Sequence, residues 1–329
     1  MNAQEAKKLE NKVIKALSDN LKKEDSVILG ISGGPDSMLL LYLFKKFAEK
    51  TPIKIAVAHI NHQLRKKEAD LDEKFVKEYV EKTDSTRSVL FHSTTKDIAS
   101  LSKKNKKGLE EMGRKIRYEF FKRLQKKYSA KFITTAHHAD DNLETIVLNL
   151  IRGASMKGLS GMQMVTPPLF RPLLDLTKKQ ITDYLKLKKL SYRKDKSNES
   201  KVYTRNQVRH DIIPELQKIN PNLTKTIAKN AKLMRETQEF IEIKAKEYLK
   251  KQDPANLDAK SFRKLHSTLQ KTVLRELYLQ QIGNTKNLEN THVEEVLDLI
   301  NSNIGNKKKK FGKLSLHLNA NKIKVSVAF

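Results

Sequence analysis

A glycine-rich turn between an apolar segment and a helix-like one is the sharpest chemical signal in the sequence. Its residues are Ser32, Gly33, Gly34, Pro35, Asp36 and Ser37. Glycines let the backbone turn tightly and aim N–H groups at an anion, and proline suits the first turn of a helix, whose N-terminus attracts negative charge. No Gly-Lys-Ser/Thr follows, so this is not a Walker A loop. The pattern predicts a phosphate cradle, the alternative being an ordinary strand–helix turn.

Asp36 adds a requirement to that cradle. A carboxylate beside phosphates repels them, so we expect Asp36 to act through a divalent cation such as Mg²⁺.

A second polar cluster follows another apolar segment. On a helix, His137, Asp141 and Glu144 fall at i, i+4 and i+7 and so share one face. Such a face can hold a metal ion through Asp141 or perform base chemistry. The alternative is an acidic helix start beside a packing histidine. We expect the opposite face to pack in the core through Leu143, Ile146, Val147 and Leu150.

Three further groups have the right residue types for binding. His59 and Asn61 follow an apolar segment, and we assign them to the same nucleotide site. Arg114 and Arg117 lie one helical turn apart and are suited to clamp a phosphate or a base. Arg205 lies in the segment 203–210, which mixes an aromatic ring, an amide and guanidinium groups suited to nucleic acid. The first group has a plainer interpretation as a polar loop, and the second as a solvated helix face.

Alternating apolar and helix-like segments position these residues. Strands are predicted at 25–31, 53–60, 87–91 and 131–136, and helices at 35–49, 68–82, 108–127 and 139–151. Such alternation predicts an α/β fold, a parallel sheet flanked by helices, in which ligands bind beyond the carboxyl ends of the strands. All the polar clusters that follow strands lie at those ends.

The rest of the chain follows a different pattern. We expect a loop at 153–177, a basic helix at 178–190, and helices without intervening strands at 223–250, 258–282 and 287–301. A basic turn, Lys307–Lys310, then precedes a small hairpin. The domains are therefore expected at 1–215, carrying the site, and at 216–329, a smaller, mostly helical unit.

Composition narrows the class of protein. The 329 residues contain 66 Lys plus Arg and 38 Asp plus Glu, a formal net charge of +28. This charge favours a polyanionic partner such as nucleic acid, the alternative being a lysine-rich solvated surface. The sequence contains no cysteine, which excludes disulfides and thiolate metal sites within it. Without a long apolar stretch or a secretory signal, we expect a cytoplasmic protein with no membrane span.

The combination of motifs resembles a known family. The S-G-G-P-D-S turn looks like the loop of N-type ATP pyrophosphatases, the PP-loop enzymes. H-I-N-H-Q-L-R, G-R-K-I-R-Y, H-H-A-D-D-N-L-E-T, F-R-P-L-L and T-R-N-Q-V-R then follow in the order seen in the tRNA(Ile)-lysidine synthases. The resemblance spans roughly residues 27–216. It implies a fold like that of the adenine nucleotide α-hydrolases and a tRNA-binding C-terminal region.

The resemblance also implies a reaction. ATP, with Mg²⁺ at Asp36, activates the C2 oxygen of the wobble cytidine in tRNA(Ile) with a CAU anticodon, and the amine of L-lysine then displaces AMP. By the same resemblance His137, Asp141 and Glu144 line the reaction centre, and Arg114 or Arg117, together with Arg205, contact the base or the adenylate. The alternatives are another PP-loop enzyme such as a tRNA thiolase, or a non-catalytic basic RNA-binding module. Whether the chain forms a homodimer is left open.

Overall fold

Strands and helices alternate along the first two thirds of the chain, and a mainly helical stretch precedes a group of strands at its end. The computed structural model describes residues 1–64, 67–83, 89–193, 204–285, 288–302, 306–319 and 321–327. Contacts divide the chain into two units, Met1–Ala231 and Lys232–Phe329. The domain assignment made from sequence, 1–215 and 216–329, stays a prediction.

The elements up to the end of the sheet of the first unit are α1 (Ala3–Asn20), β1 (Ser26–Gly30), α2 (Pro35–Ala48), β2 (Lys54–Asn61), α3 (Lys67–Thr83), β3 (Val89–Thr95), α4 (Ile98–Asn105), α5 (Leu109–Lys127), β4 (Phe132–Thr134), α6 (Ala139–Ile151), α7 (Met156–Leu159), β5 (Val165–Thr166) and β6 (Leu169–Phe170). The helices that follow are α8 (Lys178–Leu187), α9 (Thr204–Gln207), a π-helical turn (Val208–Ile212), α10 (Ile213–Ile219) and α11 (Leu223–Lys250). The remaining elements are β7 (Asn256–Asp258), α12 (Ala259–Arg263), α13 (Ser267–Ile282), α14 (Asn290–Asn301), β8 (Lys307–Phe311), β9 (Leu314–Asn319) and β10 (Lys322–Val327).

β1 lies inside a six-stranded sheet because its residues are apolar on both faces. Val27, Ile28 and Leu29 are fully buried, as is usual for a strand covered by helices on both sides. β1 pairs in parallel with β2 and β4, within the strand order β3-β2-β1-β4-β6-β5, and only the short β5 runs antiparallel to its neighbour. The predicted parallel α/β sheet is confirmed.

Helices cover this sheet through apolar stripes at helical spacing. The predicted stripe of α2 is buried, as Leu39, Leu40, Leu43 and Phe47 are at most 4% exposed. A polar contact also joins three helices, since Glu10 of α1 accepts a hydrogen bond from Tyr184 of α8 and pairs with Lys46 of α2. The helices that carry the loops of the site are therefore fixed to the sheet and to one another.

The second unit combines helices with a four-stranded antiparallel sheet of order β7-β10-β9-β8. Apolar and polar residues alternate along β9, so Leu314, Leu316 and Leu318 are buried in a core shared with α13 and α14. The register places Ser315 and His317 of β9 on the opposite face, beside Lys308 and Lys310 of β8, whereas Lys307 and Lys309 lie on the face of the leucines. The predicted hairpin is present as β9 and β10.

Several local predictions are wrong. The stretch 153–177, expected to be a loop, contains α7, β5 and β6, and the two short strands extend the first sheet. The basic run Lys307–Lys310 is not a turn but most of strand β8. β7 lies between the helices of the second unit, and the helix expected at 258–282 is divided into α12 and α13.

The prediction that Leu150 packs in the core is also wrong, because this residue is 63% exposed. The third strand begins at Val89, within the described residues, and runs to Thr95 rather than ending at 91. In the part of the chain that the structure describes, no helix is both long and apolar enough to cross a membrane.

Leu143 and Leu150 provide a matched test of this packing on one helix. Leu143 is 1% exposed, so we expect Leu143→Ala to lower the free energy of unfolding by about 2–5 kcal/mol, through lost apolar contact and an unfilled cavity. Leu150→Ala should change it by less than about 0.5 kcal/mol. Urea denaturation followed by circular dichroism measures both, and equal effects would contradict the burial described here.

Candidate active site

The glycine-rich turn, which we call the PP-loop (Ser32–Ser37), connects β1 to α2 at the carboxyl edge of the sheet. Gly33 has φ +90, a conformation that favours glycine, and α2 begins at Pro35. The Ser37 hydroxyl accepts hydrogen bonds from the backbone N–H groups of Ser32 and Gly33, each over 3.2 Å. The loop is thus closed around its own serine.

At Gly30, the strand β1 that leads into this loop packs tightly against α5. A Cβ at Gly30 would lie 2.6 Å from Cζ of Phe121, a side chain of α5 that is 2% exposed. A larger residue would therefore displace either the strand or α5 from beneath the loop.

The start of α6 meets the PP-loop, as expected of two segments that follow adjacent parallel strands. Nε2 of His138 lies 3.8 Å from Oδ2 of Asp36 and 3.4 Å from Oδ2 of Asp141. Nδ1 of the same ring lies 3.5 Å from Oδ2 of Asp140. A single buried imidazole therefore lies among three carboxylates from two helices.

The two adjacent histidines have opposite protonation tendencies. Burial lowers the pKa of His137 to about 4 although Asp141 favours its charged form, and the ring exchanges a 2.7 Å hydrogen bond with the Thr135 hydroxyl. Burial acts in the same direction on His138, but the carboxylates of Asp140, Asp141 and Asp36 outweigh it and raise the pKa of His138. His137 is thus neutral at pH 7, whereas His138 is biased towards the imidazolium form.

Two arginines neutralise the acidic face of α6. Glu144 is 3% exposed and accepts hydrogen bonds from Nε of Arg205 over 2.9 Å and from Nε of Arg209 over 2.5 Å. Nη2 of Arg209 also contacts Asp141 over 3.2 Å. Arg209 lies in the π-helical turn, a helix irregularity that occurs often at functional sites.

Lys178, the first residue of α8, joins the two halves of the site. Its Nζ lies 2.7 and 2.6 Å from the two carboxylate oxygens of Asp36. Its backbone N–H donates to Oδ2 of Asp140 over 2.7 Å. The PP-loop carboxylate therefore has a side-chain counter-ion in this structure, which the sequence did not indicate.

Two cavities meet at Asp36 and Asp141. One, of about 970 Å³ including its open mouth, is lined by Arg117 and Tyr118 of α5 and also by Ser32, Ser37 and His137. The other, of about 1010 Å³ measured in the same way, is lined by His138, Asp140, Glu144, Lys178 and Arg209. Asp36 and Asp141 belong to the walls of both.

The remaining predicted residues, His59, Asn61, Arg114 and Arg117, do not all line the first cavity. His59 and Asn61 are buried beside Ser32 and Gly34 in an adjoining pocket. Nδ1 of His59 is bonded to the carbonyl of Ile31 over 2.9 Å, and Asn61 donates to Asp70 and Glu73 of α3. Arg117 lines the cavity, whereas the guanidinium of Arg114 lies 4.9 Å from the ring centre of Tyr118. Arg65 and Tyr203, in the segments named from sequence, fall outside the described residues.

The donor set fits a magnesium ion that arrives with phosphates. Within the described residues, no group of three or more His, Asp and Glu is arranged to hold a metal on its own. Mg²⁺ is usually bound by one or two carboxylates together with substrate phosphates and water. Asp36 and Asp141, which share the wall of one cavity with the PP-loop, offer this kind of site.

His138, Arg209 and Lys178 belong to the site but were not predicted as site residues from the sequence. His138 and Arg209 lie inside the segments 137–144 and 203–210, so the signal for them was present in the sequence. No pattern in the sequence indicates Lys178, because it lies 142 residues from Asp36 along the chain.

The raised pKa of His138 predicts how the free energy of unfolding depends on pH. A group with a raised folded pKa contributes stability that is fully present below its unfolded pKa, near 6.5, and lost as the pH rises through the folded value. His138→Gln, which keeps a polar side chain but removes the charge, should therefore destabilise the protein more at pH 6 than at pH 8.5. Urea denaturation at both pH values measures this, and a destabilisation independent of pH would contradict it.

Comparison with known proteins places this site in a family. Residues 4–216 match the PP-loop domain. The chain is 33% identical over 291 residues to the tRNA(Ile)-lysidine synthase of Clostridium tetani, covering 87% of this chain and 62% of the relative. It is 37% identical to the synthase of Petrotoga mobilis, covering 72% and 76%, and 39% identical to that of Chlorobaculum tepidum, covering 74% and 72%.

A solved structure supports the fold. The U34-tRNA thiolase NcsA from Methanococcus maripaludis, described with its 4Fe-4S cluster, superposes with a TM-score of 0.56 at 21% identity, over 70% of this chain and 78% of that one. The chain spans about 62% of the length of the Clostridium tetani relative. From the domain match and from the Petrotoga mobilis and Chlorobaculum tepidum relatives, of which it covers more than two thirds, the chain belongs to the PP-loop family and, within it, to the tRNA(Ile)-lysidine synthases.

Proposed function

We propose that this protein is an ATP-dependent carbon–nitrogen ligase that attaches L-lysine to C2 of the wobble cytidine in tRNA(Ile) with a CAU anticodon, releasing AMP and pyrophosphate. The product changes the codon and amino-acid specificity of the tRNA from methionine to isoleucine. One observation carries the proposal: two cavities, one at the PP-loop and one at the acidic face of α6, share Asp36 and Asp141. Two substrates can thus meet at one wall.

The PP-loop side suits ATP and the base to be activated. The loop's N–H groups and the Ser32 and Ser37 hydroxyls are suited to the phosphates. In the first step the C2 oxygen of cytidine attacks the α-phosphorus, and pyrophosphate leaves. Arg117, in the cavity wall, is suited to the negative charge that develops there. His137 is neutral at pH 7, so we assign it a hydrogen-bonding role rather than that of a proton donor.

The other cavity suits the amine. A lysine ε-amine has a pKa near 10.4 and must lose a proton before it attacks C2. A carboxylate in the wall of this cavity that does not bind the metal is placed to accept that proton as the new C–N bond forms and AMP leaves. Glu144 is engaged by Arg205 and Arg209, so we infer that it holds these guanidinium groups toward the activated base.

The triphosphate needs a counter-ion in the first step. Asp36 and Asp141 would hold Mg²⁺, which when bound offsets the charge of the triphosphate.

The target base must leave its stack to reach the cavity, and in an anticodon loop this costs little because the base is already unpaired.

The second unit offers a surface for the tRNA backbone. The register aligns Lys308, His317 and Lys324 in one row across β8, β9 and β10, on the face opposite the apolar core. Lys310 and Lys322 lie on the same face, and all four lysines are exposed. A polar sheet face with clustered ammonium groups is suited to phosphates, which supply affinity without sequence preference. We therefore place tRNA contacts here, and expect the protein in the cytoplasm with its tRNA.

Lysine incorporation tests the proposed reaction. Wild-type protein should attach radiolabelled lysine to tRNA(Ile) only when ATP is present, and Asp36→Ala should reduce the rate at least about a hundredfold, because it removes the carboxylate shared by both cavities. Asp175→Ala, at an exposed carboxylate, is the matched control.

The mass of the product separates the alternatives, since a lysine-sized gain supports the proposal and a sulfur-sized gain indicates a thiolase. A folded wild-type protein that binds tRNA yet neither exchanges pyrophosphate with ATP nor attaches lysine would refute the proposal.

The alternation of β8 allows a matched test of the tRNA surface. Lys308→Ala with Lys310→Ala should weaken tRNA binding and reduce the slope of log affinity against log salt by about 2. Lys307→Ala with Lys309→Ala removes the same charge from the opposite face and should leave that slope nearly unchanged. Filter binding over a salt series measures both, and equal losses would show that net charge, not this face, is what matters.

A further inference from the structure

The carboxylates between the PP-loop and α6 are already balanced by cations of this chain. Asp36 is paired with Lys178, and Glu144 with Arg205 and Arg209. Arg209 also reaches Asp141, and His138 lies among the remaining carboxylate oxygens. A metal ion that approaches Asp36 must therefore replace a positive charge that is already present.

Lys178 is the cation best able to leave. The arginines are held through several N–H groups by Glu144, which is 3% exposed, so moving them would strip a buried carboxylate of its partners. Lys178, by contrast, contacts its partner through one ammonium on a flexible four-carbon chain, and its side chain is 42% exposed.

The backbone of Lys178 is held in place, whereas its side-chain ammonium group can move. Its N–H is bonded to Asp140 over 2.7 Å, and it is the first residue of α8, whose Thr177 cap bonds to Gln180. The ammonium can therefore turn away from Asp36 without α8 leaving its place, and it stays within a side-chain length of the PP-loop.

Contact with both oxygens is what makes the two cations competitors. The ammonium lies 2.7 and 2.6 Å from the two oxygens of Asp36. Direct coordination of Mg²⁺ needs a carboxylate oxygen at about 2.1 Å and tolerates little distortion of its octahedron. An ammonium and a divalent ion sharing those oxygens would also repel each other strongly.

We propose that Lys178 is an exchangeable counter-ion, a positioning residue that holds Asp36 until metal and nucleotide arrive. It then gives up the carboxylate to the metal and turns its ammonium toward the phosphates. The inference rests on the ATP-using part of the proposed function and does not depend on which amine or tRNA is joined.

Metal binding without nucleotide tests the first half of this inference. Mn²⁺, titrated and detected by electron paramagnetic resonance, replaces Mg²⁺ as the probe. Lys178→Met frees Asp36 and should tighten Mn²⁺ binding at least about tenfold over wild type. Lys179→Met, one residue further and exposed, should leave it unchanged. Lys178→Arg, which keeps the charge, should bind Mn²⁺ as weakly as wild type.

Two outcomes would overturn the exchange. One is equal Mn²⁺ affinity in wild type and Lys178→Met, and the other is a gain that persists when Asp36→Asn is added to Lys178→Met. Should the methionine variant not fold, as judged by circular dichroism, Lys178→Gln serves in its place.

Nucleotide affinity tests the second half. At saturating Mg²⁺, Lys178→Met should bind ATP several-fold more weakly in equilibrium dialysis, whereas Lys179→Met should not. Unchanged or tighter ATP binding would overturn the transfer of the ammonium to the phosphates. Neither measurement uses tRNA or lysine, so failure of lysine incorporation leaves both results interpretable.

Discussion

Parallel pairing of β1 with β4 is the constraint on which the site depends. Both strands run in the same direction and are neighbours, so the segments that follow them leave the sheet at one edge. The PP-loop and the start of α6 are brought together in this way, although about a hundred residues separate them in sequence. Burial of Val27, Ile28 and Leu29 on both faces of β1 then holds this strand between the helices that cover the sheet.

Several carboxylates lie at this edge of the sheet, and cationic side chains of the same chain pair with them. Isolated carboxylates away from water are unfavourable, so they persist where hydrogen bonds and opposite charges compensate them. Glu144 is compensated by the π-helical turn, and Asp36 by α8, which are separate elements. The site is consequently held together by contacts from several elements of the chain.

Local features of the sequence predicted the PP-loop, the start of α2 and the acidic face of α6, since each depends on residues within one or two helical turns. The predicted helical face is correct for Asp141 and Glu144 but wrong for His137, which lies before α6 begins. The partners of these features depend on tertiary structure. Lys178 meets Asp36 only because α8 packs near the sheet edge, and no spacing along the chain encodes that. The two-residue strands β5 and β6 are too short for any period to be recognised. Leu150 satisfies the helical pattern but is 63% exposed, because a period along one helix does not record where neighbouring elements cover it.

The position of β8 at the outer edge of its sheet has a consequence for self-association. A strand at an edge exposes unpaired backbone N–H and C=O groups that can template pairing with another molecule. Consecutive lysines on both faces of β8 surround those groups with like charge, so a second copy of the strand is repelled before its backbone can pair. The residues that give this sheet its positive face also protect the chain from edge-to-edge aggregation.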